Sequence, residues 1–232
     1  MPPVISAGDQ HVTGDAFKGF SPEALEFLQS LHANNTREWF ATNRKIYESE
    51  IKHPAAAFAA TLAEEVENLT GHGHNPKVFR VHRDVRFSTD KTPYNAHVRI
   101  ALVPQGLGPA LPMWFFGLGT AKISLGTGIF TFEKESLEEW RWQVVERGEE
   151  IKAMLDAQME SGARIEPPAL KRIPRNLPAD HPQASLFLHK GLSVWRDYGN
   201  PEIATDPGIV EICRRDFARL LPVWQFCRTL KA

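Results

Sequence analysis

The predicted fold class rests on residues 98–132, VRIALVPQGLGPALPMWFFGLGTAKISLGTGIFTF. Three segments of this stretch have strand-like composition: Val98 to Val103, Met113 to Leu118 and Lys122 to Phe132. Turns rich in proline and glycine separate them, at Pro104-Gln105-Gly106 and at Gly117 to Thr120. Because such short connections cannot hold the crossover helices that parallel strands need, the sequence predicts an antiparallel sheet.

A further strand is predicted upstream, from Val78 to Phe87, where the periodicity changes from that of a helix to that of a strand. Alternate residues of a strand point to opposite faces of its sheet. One predicted face carries Phe79, Val81, Val85 and Phe87 together with Arg83, and the other carries Arg80, His82, Asp84 and Arg86. We therefore expect Phe87 to lie in the core and Arg86 to be exposed.

Helices are predicted on both sides of these strands. Serine, threonine or aspartate at a helix start accepts hydrogen bonds from free backbone N–H groups, and proline suits the first turn. Two helices are predicted to begin at Ser21-Pro22 and at Thr36. Two longer ones are predicted from Pro54 to Leu69 and from Ser136 to about Ser161, and a last one after Asp206-Pro207. Between the last two lie a predicted short helix, from His181 to about Lys190, and a predicted strand, from Leu192 to Trp195. The sequence thus predicts an α+β fold: an antiparallel sheet of about four or more strands flanked by N-terminal, central and C-terminal helices.

Domain organisation is expected to be simple. Residues 1–16 contain few large apolar groups and are predicted to form a flexible tail. Residues 17–232 are predicted to form a single globular domain, because no linker divides them. Within it, glycine and proline mark residues 71–76 as a loop.

Composition narrows the class of protein. The 232 residues are 42% apolar and 24% charged with a net charge of −1, so no chain-wide field favours nucleic acid, an anionic membrane or an acidic partner. The sequence shows no secretory leader and no run of about 18 apolar residues, which predicts a cytoplasmic protein without membrane contact. The two cysteines, Cys213 and Cys227, are predicted to be core thiols in a reducing compartment.

Cations are concentrated between Arg80 and Arg99. Guanidinium groups about two residues apart on a strand suit the oxygens of a carboxylate or phosphate, and the turn from Ser88 to Lys91 adds further donors. The predicted ligand-binding residues are Arg80, Arg83, Arg86, Ser88, Asp90 and Lys91, and the predicted catalytic residues are His97, for proton transfer, and Asp84, which orients the arginines.

A structural interpretation of the same cluster stays open. In it, Asp84 pairs with neighbouring arginines, Asp90 caps the turn, and the remaining charges form a solvated sheet face. The opposing argument is that so many donors on one strand repel each other unless carboxylates or a ligand balance them.

A second basic segment, Lys171-Arg172, lies in irregular chain before Asp180-His181. A shared anion is the simplest reason for two such segments. We therefore expect Lys171 or Arg172 to lie within about 10 Å, one Debye length, of the Arg80 to Lys91 surface, with His181 as a further ligand-binding residue. Asp180 either orients His181 as a general base or caps a helix.

No metal site is predicted. His72 and His74 have the alternate spacing of metal ligands, but no third ligand is near them in the sequence. No phosphate loop, dinucleotide fingerprint or nucleophile elbow is present, so the cofactor is left unassigned.

The run FRVHRDVRFSTDKTPYNAH, residues 79–97, resembles the signature of a widespread bacterial and fungal family catalogued as domain of unknown function 2461. Supporting motifs are Phe20-Ser21-Pro22, Asn34 to Phe40, Lys171 to Pro174 and Asp180 to Pro182, so the resemblance covers residues 17 to 230. It implies that the motif positions are Arg83, Asp84, Arg86, Phe87, Ser88, Asp90, Lys91, Pro93, Tyr94 and His97, which adds Tyr94 to the ligand-binding candidates. The sequence departs from the family pattern at Asn95 and Asn176, and the resemblance implies no activity.

Two functions are compatible with these features. One is binding of a small phosphate- or carboxylate-bearing ligand, with catalysis through His97 left open. The other is a noncatalytic module in which the same cations grip an acidic protein or a nucleic-acid backbone, although aromatic residues for base stacking are scarce. A concave pocket favours the first function and a broad convex basic face favours the second.

Overall fold

The structure, a computed structural model, describes residues 17–106 and 111–230 and has the predicted α+β architecture. The helices are α1 (Pro22–Ala33), α2 (Arg37–Ile46), α3 (His53–Thr70), α4 (Lys134–Glu160) and α5 (Ile209–Cys227), and the strands are β1 (His74–Val78), β2 (Val98–Pro104), β3 (Met113–Leu118), β4 (Ile123–Ile129), β5 (Arg164–Ile165) and β6 (Leu192–Tyr198). A π-helical turn, Tyr47–Lys52, joins α2 to α3, and 3₁₀ turns lie at Ala184–Leu188 and Pro201–Thr205. The predicted tail, residues 1–16, lies outside the described residues.

The six strands form one antiparallel sheet in the order β1-β2-β3-β4-β6-β5. The three segments predicted within residues 98–132 are β2, β3 and β4. The register aligns Arg99 with Gly117, Gly117 with Ser124, and Ser124 with Asp197. Because side chains alternate between the faces of a sheet, these four residues share one face.

The hydrophobic core lies between the other face of the sheet and α1, α3 and α5. Trp114 and Phe116 of β3 are buried in it. The centroid of the Phe116 ring lies 4.8 Å from that of Phe58 in α3, and the centroid of Trp114 lies 5.1 Å from that of Phe217 in α5. Aromatic pairs at these distances add a geometric preference to apolar burial, so they fix the helices on this face.

The remaining face of the sheet, here called the open face, is partly exposed to solvent. Its middle row runs from β2 to β5 through Ala101, Phe115, Gly126, Trp195 and Arg164. Phe115 is buried, whereas Trp195 is half-buried and Arg164 is exposed. The open face is therefore the side of the sheet on which aromatic and charged groups can meet a ligand.

The predicted strand from Val78 to Phe87 is wrong. β1 ends at Val78, and beyond it the chain leaves the sheet in a long excursion with a single isolated bridge, between His82 and Tyr94. The reason is local hydrogen bonding within the predicted strand: the Asp84 carboxylate accepts from the backbone N–H of Arg86 at 3.2 Å, and such local bonds compete with a strand ladder. Phe87, predicted to lie in the core, is 94% exposed.

Phe87→Ala is accordingly expected to change the free energy of unfolding by no more than about 0.5 kcal/mol, because the side chain fills no cavity. Val81→Ala is the matched comparison: Val81 is 7% exposed, and its truncation should cost about 1 to 3 kcal/mol. Urea denaturation of the two variants checks this. Equal destabilisation by both would show that Phe87 is packed against the core.

Other boundaries differ modestly from the sequence prediction. The predicted loop at residues 71–76 ends early, since β1 begins at His74, and the helix predicted from His181 is a 3₁₀ turn. Cys213 and Cys227 are buried and free, as predicted for core thiols, and burial raises the pKa of both. In the part of the chain that the structure describes, no helix is both long and apolar enough to cross a membrane.

Candidate functional site

Residues 79–97, here called the basic loop, connect β1 to β2 at one corner of the sheet. The two arms of the loop are joined near its base by backbone hydrogen bonds, from Arg83 N to Pro93 O at 2.8 Å and from Asn95 N to Val81 O at 2.7 Å. Isolated hairpins are marginal, so further contacts are needed to hold these arms in place.

Tyr94 supplies those contacts. Its ring is buried and stacks on Phe40 of α2 with centroids 4.1 Å apart. The Asn35 side chain donates to Tyr94 O at 2.9 Å and accepts from Tyr94 N at 3.0 Å. Tyr94, a predicted ligand-binding residue, therefore fixes the base of the loop through its ring and its backbone.

Most charged groups at the tip of the basic loop are paired with one another. Arg83 donates to Asp90 at 2.6 Å, and Arg86 donates to both oxygens of Asp84, at 2.9 and 2.7 Å. Lys91 donates to the carbonyl oxygen of Val85 at 3.0 Å. For these residues the geometry agrees with the interpretation that the cluster is structural, because the carboxylates balance the arginines within the loop.

The acidic groups of the tip are held ionised by these bonds. The backbone N–H of Thr92, followed by the Arg83 side chain, lowers the pKa of Asp90 to about 2. The Arg86 guanidinium lowers the pKa of Asp84. Both carboxylates therefore remain charged at neutral pH and accept hydrogen bonds, so neither serves as a proton donor in its present arrangement.

Arg80 and Arg99 differ from the cations of the tip. Among the described residues, neither guanidinium has a hydrogen-bond or ion-pair partner. Both are exposed and line a hollow of about 280 Å³ where the basic loop meets β2, here called the Arg99 hollow. Its walls are Phe79, Arg80, His82, Arg83, Asp84, Asn95, His97 and Arg99.

His97 stands at the centre of this region. It lines the Arg99 hollow and three adjoining hollows, and it is half-buried. Burial, reinforced by the positive charges of Arg99 and Arg83, lowers the pKa of His97 to about 4. At neutral pH the imidazole is therefore uncharged, with one nitrogen able to donate a hydrogen bond and the other able to accept one.

A larger hollow of about 560 Å³, here called the open-face cleft, adjoins the Arg99 hollow and shares Phe79, His97 and Arg99 with it. Its apolar wall consists of Phe115, Phe130 and Trp195, and its polar groups include Lys122, Ser124 and Arg164. The two hollows place exposed cations beside an apolar wall. That combination can receive a molecule with an anionic end and an apolar body.

The structure brings together only some of the predicted site residues. Arg80, Arg83, Asp84 and His97 line the Arg99 hollow, and Arg83, Asp90, Tyr94 and His97 line a neighbouring hollow. Arg86, Ser88 and Lys91 lie outside the hollows that the basic loop lines. Ser88 donates its backbone N–H to Val85 O at 3.4 Å, and Arg86 projects into solvent.

The second basic segment, Lys171-Arg172, lines none of the four hollows that the basic loop lines. The chain around it is fastened at the β5 edge of the sheet, where Leu170 N donates to Leu188 O at 3.0 Å and His181 packs beside Gly148 of α4. The β6 end nearest this segment pairs with Ile129, whereas the basic loop enters β2 at the end that pairs with Leu118. Three strand steps and about six residues separate these two strand ends, or roughly 25 Å. Because both basic segments extend beyond the strand ends, the expected convergence within one Debye length stays a prediction.

His181, the remaining predicted ligand-binding residue, has a structural environment. Its Nδ1 accepts the backbone N–H of Gln183 at 3.1 Å, and its ring lies 5.7 Å from that of Phe187. These contacts brace the 3₁₀ turn at Ala184–Leu188 against α4.

His72 and His74, which lie in the glycine-rich segment before β1 and at its start, also take part in packing. His74 is buried, its Nδ1 lies 2.7 Å from His72 O, and burial lowers its pKa. Both rings lie about 6 Å from Trp224 of α5. Within residues 17–106 and 111–230, no cluster of three or more histidine, cysteine or acidic side chains is placed to hold a metal ion.

Arg99 and the apolar wall were not predicted as site residues from the sequence. Arg99 stands two residues after His97, so strand periodicity places both side chains on one face, and this signal could have added Arg99 to the site. Nothing local indicates Trp195 or Phe130, because they reach the cleft through strand pairing between distant segments.

Comparison with known protein families matches the resemblance seen in the sequence. The sequence model of a family described as a conserved hypothetical protein, DUF2461, matches residues 23–226. No curated protein sequence matches the chain significantly.

Proposed function

The chain belongs to the DUF2461 family of conserved hypothetical proteins, and we propose that it binds a small ligand bearing a phosphate, sulfonate or carboxylate group in the Arg99 hollow. The observation that carries the proposal is the state of Arg80 and Arg99: two exposed guanidinium groups face a concave space, and among the described residues neither forms a hydrogen bond or ion pair with a carboxylate. Arg80 lies near enough to Asp84 for its charge to help lower the pKa of that carboxyl, so Arg99 is the cation farther from any balancing charge. Such groups match the planar, bidentate geometry of oxyanions.

The charges around the hollow support an anion. Asp84 is the acidic residue on its wall, and both oxygens of that carboxylate accept hydrogen bonds from Arg86. Arg80, Arg83 and Arg99 leave an excess of positive charge on the same wall. An anion placed there relieves their mutual repulsion, which is the physical source of affinity in this proposal.

His97 gives the hollow a group for proton transfer. As a neutral imidazole it donates one hydrogen bond to a bound oxyanion, and an anion that offsets the charges of Arg99 and Arg83 raises the pKa of His97 from about 4. If the protein is an enzyme, His97 is the residue we assign to general acid–base catalysis, with Asp84 held as an acceptor by Arg86.

The shape of the site favours a small ligand over a polymer. The open-face cleft, of about 560 Å³, lies in the size range of small-molecule sites, and the smaller Arg99 hollow, of about 280 Å³, adjoins it. A module that grips a nucleic-acid backbone needs a continuous basic surface, whereas Arg83 and Arg86 are paired within the loop. We also propose a cytoplasmic setting, since two free buried thiols suit a reducing compartment.

Thermal-shift and NMR titrations with phosphate, methanesulfonate and acetate test the proposal. We expect saturable stabilisation by at least one of these anions, with chemical-shift changes centred on His97 and Arg99. An oligothymidylate should bind no more tightly than its mononucleotide. Absence of saturable binding by every anion, or shift changes centred on Lys171 and Arg172, would contradict the proposed site.

The affinity for methanesulfonate is expected to increase as the pH falls from 7 towards 4. The sulfonate keeps its charge over this range, and a bound anion raises the pKa of His97 from about 4, so the complex takes up a proton. Asp90, with a pKa of about 2, stays ionised throughout. The measurement is an NMR titration at several pH values.

His97→Gln is the matched variant for this pH dependence. Glutamine retains a hydrogen-bond donor but does not titrate, so the affinity of the variant should vary less with pH than that of the wild type. If the affinity of both proteins increased equally as the pH falls, a group other than His97 would be taking up the proton.

A further inference from the structure

We infer that the ligand of this protein is an anion with a planar aromatic body: the anionic group sits at Arg99, and the body lies in the open-face cleft against Trp195 and Phe130. This inference rests on the proposed anion site and names the class of molecule that the site takes.

The floor of the cleft has room for a flat body. Between Arg99 on β2 and Asp197 on β6, the row across the open face holds Gly117 and Ser124. A Cβ atom added to Gly117 would make only ordinary van der Waals contacts, the nearest at 3.9 Å, so no side chain of a neighbouring strand occupies the position above this glycine. Three strand steps make this row about 14 Å long, enough for a fused ring system and its anionic group.

The wall of the cleft is a group of aromatic rings. The Trp195 ring stacks with Phe115 at 5.5 Å and with Phe130 at 6.0 Å, with interplanar angles of 27° and 26°. Gly126 permits this arrangement, because a Cβ atom at that position would lie 2.5 Å from the Trp195 ring. Phe130 is 55% exposed and Phe79, towards Arg99, is 46% exposed. Phe79 extends the apolar surface towards the cation, and Phe130 extends it on the opposite side of Trp195.

The cations at the far end of the cleft are paired with carboxylates and therefore do not attract the anion of the ligand. Asp197 accepts hydrogen bonds there from Lys122 and Arg164, both at 2.8 Å, and from Ser124 at 2.6 Å. Arg164 is also paired with Glu166 at 3.0 Å. Since two carboxylates balance the two cations at this end, the cation without a partner in the described chain is at the Arg99 end. The charge distribution therefore sets the direction in which the ligand lies.

Naphthalene-2-sulfonate and methanesulfonate separate this inference from the anion site on which it rests. Both carry one sulfonate, and only the first has an aromatic body. In NMR titrations we expect naphthalene-2-sulfonate to bind about tenfold or more tightly than methanesulfonate, with both shifting His97 and only the first shifting the Trp195 indole.

Two variants test the cleft itself. Gly117→Leu fills the floor, and Trp195→Ala removes the central ring of the wall. Each should reduce the affinity for naphthalene-2-sulfonate to near that for methanesulfonate, while methanesulfonate binding stays as in the wild type. Trp142→Ala is the matched control, because Trp142 is 56% exposed on α4 and lines none of these hollows. It should leave both affinities unchanged.

The possible results lead to different conclusions. Equal wild-type affinities for the two sulfonates, or a preference for naphthalene-2-sulfonate that survives both cleft variants, would overturn the inference and leave the anion site standing. Failure of both sulfonates to bind would overturn the anion site as well. Tighter binding of an oligothymidylate than of naphthalene-2-sulfonate would replace the small ligand with a polymer.

Discussion

Arg99→Ala is expected to weaken the binding of methanesulfonate and of naphthalene-2-sulfonate by about 10- to 100-fold. The side chain lines both hollows, and a charge-assisted hydrogen bond contributes about 1.5 to 3 kcal/mol. The stability of the free protein should hardly change, because Arg99 is exposed and no described residue pairs with it. NMR titration and thermal denaturation of the variant give the two quantities.

Arg172→Ala is the matched control for this loss of charge. Arg172 is also an exposed arginine, but it lines neither the Arg99 hollow nor the open-face cleft. Its removal should leave both affinities at the wild-type level. A comparable loss in the two variants would mean that the anion is attracted by overall charge and not held by Arg99.

Asp216→Ala is expected to destabilise the fold by about 3 to 5 kcal/mol, the largest stability effect we predict. Asp216 of α5 is fully buried and accepts hydrogen bonds from the Tyr198 hydroxyl and, at 3.2 Å, from Arg219. It also lies 3.4 Å from Arg196 of β6, whose side chain is 13% exposed. Removing the carboxylate leaves the charge of Arg196 buried without a counterion, which is the costly case for a buried ion pair.

Glu211→Ala is the comparison within the same helix. Glu211 pairs with Arg214 at 2.7 Å on the exposed side of α5, so losing that pair should change stability little. Urea denaturation of the two variants measures the difference. Similar stabilities for Asp216→Ala and Glu211→Ala would show that the buried pair does not hold α5 to the sheet.

The parts of the fold that sequence reasoning predicted correctly depend on local signals. Short turns and strand composition located β2, β3 and β4, and capping residues located the starts of α1 and α2: Ser21 accepts from Ala24 N, and Thr36 accepts from Trp39 N. These signals act within a few residues, so periodicity and capping chemistry are sufficient to identify them.

The basic loop shows where local signals mislead. The alternation of apolar and charged residues from Val78 to Phe87 is that of a strand, yet the Asp84 side chain bonds the backbone N–H of Arg86 locally. On the facing arm of the loop, Pro93 has no N–H to donate to a ladder. The two-residue strand β5 was missed for a different reason. Arg164 and Ile165 are extended because they pair with Trp195 and Val194, about thirty residues along the chain.

The candidate site was predicted only in part, because sequence signals act over a few residues and the site combines distant segments. The sequence identified the basic loop and His97, which are close together in the chain, but not which arginines are paired. Pairing depends on side-chain geometry: Arg83 reaches Asp90, whereas Arg99 on β2 has no carboxylate within reach among the described residues. The apolar wall depends on strand order, which brings Trp195 beside Phe115 across β4.

In the proposed site, Arg99 and His97 hold the anionic group of the ligand. Anomalous diffraction from a crystal of the protein soaked in sodium selenate tests this arrangement, because the selenium atom marks the position of a tetrahedral oxyanion. We expect a selenium peak in the Arg99 hollow, with selenate oxygens within hydrogen-bonding distance of the Arg99 guanidinium and the His97 ring. An empty hollow with selenate bound only beside Lys171 and Arg172 would contradict it.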